Sequence, residues 1–117
     1  MNRRKIGREQ ETLATEFVEK NGYRILNRNY WCPFSELDIV AKEGEYLCFV
    51  EVKYRKNDWY GGCEGAISMK KIRNMCQCAR YYMAKENIPM DIPVRFDVIL
   101  IVGEKLRLIK NAFSYTE

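Results

Sequence analysis

Between Ile6 and Lys20 the apolar residues Ile6, Leu13, Ala14, Phe17 and Val18 fall on one stripe of a 3.6-residue repeat. Asn21-Gly22 follows as a stop, so the pattern predicts an opening helix. Residues 23–30 mix Tyr, Ile and Leu with polar residues and end before Cys32-Pro33, which predicts a short strand at a sheet edge. Residues 36–41 and 46–53 read as a hairpin closed by a two-residue loop at Gly44-Glu45. Leu47-Cys48-Phe49-Val50 is apolar on both faces, so the second strand of that hairpin is expected to be central and covered by a helix. Residues 54–62 lack a period and read as a loop. Ser68 can cap a second helix running to about Lys85, with Met69, Ile72, Met75, Cys76, Ala79, Tyr82 and Met83 on its apolar stripe. A β-branched strand over 94–102 then turns at Gly103-Glu104 into a final strand over 105–110. The predicted order is α-β-β-β-α-β-β. It describes an α/β fold in which a mixed central sheet is flanked by two main helices, within a single domain spanning 1–117.

The hairpin register has a chemical consequence. If Glu43 pairs with Tyr46, the same register sets Asp38 opposite Glu51 and Glu36 opposite Lys53, all on a single face expected to lie protected under the first helix. Directly opposed residues place their Cβ atoms roughly 4.5 to 5.5 Å apart, within reach of one shared cation. Two acids among apolar neighbours are costly to bury unless something positive compensates them, and magnesium is the natural partner for oxygen ligands. Lys53, two residues after Glu51, is placed to orient a water or to stabilise developing negative charge. The plainer alternative is the wet face of a hairpin, with Glu36 and Lys53 as a cross-strand ion pair. From the first helix Glu9 or Glu11 can add a further acid; on a helical wheel they flank the apolar stripe at similar angles, and periodicity does not choose between them.

Composition narrows the chemistry. The chain has no histidine, which removes the usual general base and the Ser-His and Cys-His pairs, so any catalysis falls to carboxylates, lysine and metal. Five cysteines form an odd set without a C-x-x-C pair and are expected to be reduced thiols, without structural zinc. No apolar run approaches the roughly 18 residues of a membrane helix, and the basic N-terminus does not lead into the apolar core of a secretory signal; the expected location is the cytoplasm. The net charge is +4, with cations clustered at Arg3, Arg4, Lys5 and Arg8, at Lys53, Arg55 and Lys56, and at Lys70, Lys71 and Arg73. Arg8, Arg55, Lys56, Lys70 and Lys71 are the candidate phosphate-binding rim. Trp59 and Tyr60 are candidates to stack on a base. Arg95 and Asp97, on one face of their strand, read as a buried or half-buried support pair.

Gly7 through Ala14 (G-R-E-Q-E-T-L-A), Asn21-Gly22-Tyr23, Glu36-Leu37-Asp38-Ile39-Val40, Phe49-Val50-Glu51-Val52-Lys53, Lys70 and Arg95-Phe96-Asp97-Val98 together resemble the UPF0102 family, also called YraN. The likeness covers essentially the whole chain. That family is similar in fold to Holliday-junction resolvases and restriction endonucleases of the PD-(D/E)XK class. The resemblance implies Glu11 as the helical acid and, with Asp38 and Glu51, a metal ligand; Lys53 as the catalytic lysine; and Glu36 as an accessory acid. Ser35 departs from the glycine the family usually carries before the Glu-x-Asp segment, and Gln77 with Tyr81 has the Q-x-x-x-Y spacing of some related nucleases. The expected function is a Mg²⁺- or Mn²⁺-dependent endonuclease that hydrolyses phosphodiester bonds in DNA, branched DNA included by analogy, with a homodimer as an analogous assembly. Two other functions compete with it: a non-catalytic nucleic-acid-binding module and a protein-interaction scaffold.

Overall fold

The computed structural model describes residues 3–55 and 67–115, with residues 3–8 placed as helix backbone. Its elements are α1 (Arg3–Lys20), β1 (Arg24–Cys32), β2 (Ser35–Glu43), β3 (Tyr46–Arg55), α2 (Met69–Lys85), β4 (Val94–Val102) and β5 (Lys105–Phe113). The order matches the one expected from the hydrophobic pattern. One five-stranded sheet runs β1-β2-β3-β4-β5, so β3 is central and β1 lies at an edge. β3 and β4 pair in parallel and every other neighbouring pair is antiparallel. Parallel neighbours need a long crossover, and α2 lies within it.

Local chemistry explains the junctions. The β2–β3 turn closes on the pair Glu43↔Tyr46, with Gly44 at φ +57°, a left-handed conformation that glycine adopts without steric cost. Ser68 caps α2 in an extended conformation, and its side-chain oxygen accepts the Lys71 N–H at 3.1 Å. Val102↔Lys105 closes the last hairpin, as expected. β3 runs two residues past the expected end and takes in Tyr54 and Arg55 before the loop. β5 reaches Phe113 because pairing with β4 resumes at Phe96↔Phe113 beyond an irregularity in the ladder.

The sheet has a core on each face. Beneath α2, Leu37, Val40, Leu47, Phe49 and Phe96 pack against Met75, Ala79, Tyr82 and Met83. On the other face Ile39, Ala41, Cys48, Val50, Ile99 and Ile101 pack against Ala14 and Val18 of α1. Met69, assigned to the apolar stripe of α2, is instead 57% exposed at the helix start, while Cys78 is buried. Cys78 is also where the thiol expectation fails. It forms a disulfide with Cys32, across 46 residues of sequence, because the end of β1 and the middle of α2 bring their Cα atoms to 5.8 Å. Cys48 and Cys76 are buried free thiols. Among the described residues no helix is long and apolar enough to cross a membrane.

Candidate metal centre

β2 and β3 pair from Glu43↔Tyr46 to Ile39↔Val50, the register the turn predicts. The ladder stops one step short of Asp38 and Glu51. In place of a further rung, Asp38 Oδ2 accepts the Val52 N–H at 2.9 Å. The pleat also reverses here: Leu37 belongs to the core beneath α2, whereas Ile39, two residues on, belongs to the core beneath α1. Residues two apart on a regular strand share a face, so Asp38 lies at a break in the alternation. On β1 the pairs Arg28↔Ile39 and Tyr30↔Leu37 bracket Asn29, which adopts φ +53° opposite Asp38.

This break gathers carboxylates from different elements. Glu11 of α1 and Glu36 and Asp38 of β2 each offer an oxygen, and the three lie within 4.8 Å of one another. Glu9 is exposed and lies outside that group. Asp38 and Glu51 face each other closely enough to share a hydrogen bond. They do so across the gap where the strands part, not as neighbours on one pleated face under α1 as expected. Glu51 is on the α2 side, with its Oε2 3.4 Å from Lys71 Nζ. Glu36 does not pair with Lys53; its partner across the sheet is Trp31 of β1.

The electrostatics follow from burial and like charge. Glu51 is 5% exposed, and burial, followed by the charge of Asp38, pushes its carboxyl up to about 8. Asp38 is raised by burial against the opposing pull of the Val52 N–H and Lys71. Glu11 is raised by burial and then by Asp38, while a side-chain hydrogen bond from Asn29 lowers it. Lys53 adds a cation near both acids, since its charge lowers Asp38 and Glu51 alike. Lys71 also donates to Ser35 Oγ at 3.2 Å, so the serine that departs from the family pattern helps to hold the lysine. The Lys71 ammonium is not aligned as a hydrogen-bond donor to Glu51, and Glu51 Oε2 remains a buried oxygen without a hydrogen-bond partner.

The donor set suits a hard divalent ion. All the converging atoms are carboxylate oxygens, and a buried oxygen that lacks a donor lies next to Asp38. Glu11, Glu36 and Asp38 are the residues grouped closely enough to hold such an ion directly. Glu36, expected as an accessory acid, lies in this group although it is exposed, and Glu51 approaches from the opposite side of Asp38.

Other expected site residues are placed unevenly. Lys71 enters the centre, whereas Lys70 is exposed on the first turn of α2. Arg55 ends β3 two residues beyond Lys53 and donates to the Tyr54 carbonyl at 3.0 Å. The Arg8 side chain and Lys56 lie outside the described residues, as do Trp59 and Tyr60. Gln77 faces solvent and Tyr81 packs on the core beneath α2, with Lys85 over its ring. Arg95 and Asp97 are a support pair as expected, Asp97 buried and Arg95 half-buried: Arg95 Nε donates to Asp97 Oδ1 at 2.9 Å, together with Tyr23 and Glu43, and Asp97 lies in register with Val50, one strand over from Glu51. Sequence reasoning misses Asn29, whose position against Asp38 emerges only once β1 is registered on β2. The one signal in the sequence is residue type, since Asn tolerates left-handed backbone better than most.

Similarity to known proteins agrees with this geometry in where it falls. Residues 10–101, which contain Glu11, Glu36, Asp38, Glu51 and Lys53, match the model of the uncharacterised protein family UPF0102. A UPF0102 protein of Lachnoclostridium phytofermentans is 47% identical over 97% of each chain. One from Thermodesulfovibrio yellowstonii is 39% identical over 97% of this chain and 99% of its own, and one from Vibrio parahaemolyticus is 36% identical over 97% and 95%. With the family model spanning most of the chain and relatives aligned nearly end to end, the protein belongs to the UPF0102 family.

Proposed function

We propose that this protein is a metal-dependent nuclease that hydrolyses phosphodiester bonds in DNA. The observation that carries the reading is the convergence of Glu11, Glu36 and Asp38 beside Glu51, whose buried Oε2 lacks a hydrogen-bond partner. Glu51 is buried and Glu11 and Asp38 are half-buried, so their gathered charges are costly as a structural device and useful as a divalent site. A bound Mg²⁺ or Mn²⁺ would polarise the scissile phosphate and lower the pKa of an attacking water. The chain's own residues supply the rest. Asn29 holds the Glu11 carboxyl, and the Val52 N–H fixes the Asp38 carboxylate in orientation. Lys53 and Lys71 bring positive charge to the edge of the acids, where a phosphate would otherwise be repelled. The element order and the positions of Asp38, Glu51 and Lys53 also fit the PD-(D/E)XK likeness, which favours DNA and extends by analogy to branched DNA.

The test is cleavage of linear, nicked, flapped and four-way DNA by purified protein with Mg²⁺ or Mn²⁺, alongside Asp38→Ala, Glu51→Ala and Lys53→Ala. Metal-dependent cutting that each substitution abolishes supports the assignment. Cutting that survives unchanged in all three variants removes it. DNA binding that needs no divalent ion and leads to no cleavage makes the protein a binding module instead.

A further inference from the structure

An exposed aromatic side chain stands beside the acids, on a strand whose aromatics play no part in the expected site. Trp31 of β1 pairs with Glu36 of β2, and directly paired residues of antiparallel strands point to the same face with Cβ atoms roughly 5 Å apart. The preceding pair, Tyr30↔Leu37, belongs to the core beneath α2, so Trp31 and Glu36 point to the opposite face, toward the side of α1. That is the side from which Glu11 joins Glu36 and Asp38. Trp31 is nevertheless 65% exposed, and Phe34, in the turn between β1 and β2, is 49% exposed. An exposed indole beside a polar site offers a ring face on which a base can stack.

We propose that Trp31 stacks on an unpaired base of the nucleic acid held at the carboxylate centre, with Phe34 extending the platform. The proposal rests on the nuclease reading and names its substrate class: strands with at least one unstacked nucleotide beside the bond to be cut. Three features single out this occupant. The indole is immediately next to Glu36, about one nucleotide's reach from the acids. Arg28, on the α1 side of the same strand, where it donates to Thr12 of α1 at 3.3 Å, supplies a cation for the flanking phosphate. A base in an intact duplex has no free ring face, so the platform discriminates against continuous double helix.

The experiment uses the full chain with Trp59→Phe, which leaves Trp31 as the only tryptophan. Its fluorescence is followed on adding single-stranded, flapped and fully duplex DNA of one sequence in Ca²⁺ buffer, and affinities are measured in parallel for Trp31→Ala and Trp31→Phe. Expected are quenching by the strands with unpaired bases and little change with duplex. Trp31→Ala is expected to lose on the order of 10-fold in affinity for the unpaired strands alone, with Trp31→Phe recovering most of it. An equal loss on duplex, or no loss at all, overturns the proposal. Cleavage that persists with an unaltered preference in Trp31→Ala overturns the platform while leaving the nuclease reading in place. Trp31-dependent binding with no cleavage keeps the platform and removes the nuclease. If Trp31→Ala instead dissolves a self-associated form without changing DNA affinity, the face belongs to a second copy of the chain and the proposal fails.

Discussion

Lys71 Nζ lies 3.4 Å from Glu51 Oε2, an ion-pair contact without hydrogen-bond geometry, while the same ammonium donates to Ser35 Oγ at 3.2 Å. Glu51 thus lies between a cation, Lys71, and a like charge, Asp38. Burial and Asp38 raise Glu51 from its ordinary 4.5 to about 8, so between those values the folded chain holds a proton that the unfolded chain has released. Metal-free stability therefore falls as pH rises from about 4.5 to about 8. Asp38 and Glu11, also raised, contribute with the same sign; Glu43, lowered by Lys110 and Arg95 despite burial, contributes stability that is lost only on acidification. Urea unfolding with chelator at about pH 5 and about pH 8.5 should show the decline, and Glu51→Gln should flatten most of it. Equal slopes in both proteins would remove Glu51 as the source.

Divalent ions should reverse that trend. A ligand that binds only the folded state stabilises it by roughly 2.7 kcal/mol at a hundredfold excess over Kd. Mn²⁺ at such an excess should raise the melting temperature at about pH 8, where proton competition for the carboxylates is weakest. Asp38→Asn and Glu11→Gln should each abolish most of the increase. A Mn²⁺ response retained in both variants would place the ion elsewhere.

The opposition of Asp38 and Glu51 is partly legible in the sequence, because a two-residue turn at Gly44-Glu45 and the period of two fix which residues meet. The same rule misreads the face. It assumes unbroken alternation, and alternation breaks at Asp38, where Leu37 and Ile39 enter opposite cores. No local pattern announces that reversal, since it depends on the left-handed backbone of Asn29 on the neighbouring strand. Glu9 and Glu11 are indistinguishable on a helical wheel because the wheel shows angle and not height along the sheet. Lys71 reads as a surface cation because nothing in its own helix shows that Ser35 and Glu51 lie below it. The Cys32–Cys78 link is hidden for a similar reason, its partners being adjacent only after β1 and α2 are packed together.

Asn29 carries two separable effects. Its φ of +53° suits glycine better than any residue with a Cβ, and its amide hydrogen-bonds Glu11. Asn29→Gly should keep the backbone and lose the amide, weakening Mn²⁺ affinity with little change in stability. Asn29→Ala should lose both and unfold about 1 to 2 kcal/mol more easily than the glycine variant. Urea denaturation and calorimetric Mn²⁺ titration of the two proteins give the comparison. Matching stabilities would mean that the left-handed backbone costs nothing here.

The disulfide should act mainly through the unfolded chain. A cross-link that closes a loop of this length removes denatured-state entropy worth up to about 4 kcal/mol in the chain-entropy model. Reductant should lower the melting temperature of the wild type and leave Cys78→Ala unchanged. Because Cys78 sits two turns after Lys71 on α2, reduction is also expected to weaken Mn²⁺ binding less than it weakens folding, the lysine being held independently by Ser35. A melting curve that does not respond to reductant would argue that the pair is not linked in solution.

Asp97 anchors β4 in register with Val50, one strand over from Glu51. Fully buried, it accepts from Tyr23 Oη at 2.5 Å, from Arg95 Nε and from the Asn111 N–H, both at 2.9 Å. Asn111 itself has φ +54° beside the irregularity between Phe96 and Val98, so the carboxylate satisfies a backbone donor released by that break in the ladder. Removing one partner of a buried ion pair typically costs about 3 to 5 kcal/mol, because the other charge stays buried and unpaired. Arg95 keeps Glu43 at 2.7 Å, which should hold the loss for Asp97→Ala near the lower end of that range. Arg95→Lys should also destabilise, since a lysine cannot reach Asp97, Tyr23 and Glu43 together. Asp97 is held by Tyr23, Arg95 and Asn111 and shares no hydrogen bond with Glu11, Glu36 or Asp38, so Mn²⁺ affinity measured on the folded protein should stay within about twofold of wild type. A large loss of affinity without a loss of stability would transfer the Arg95–Asp97 pair from the scaffold to the site.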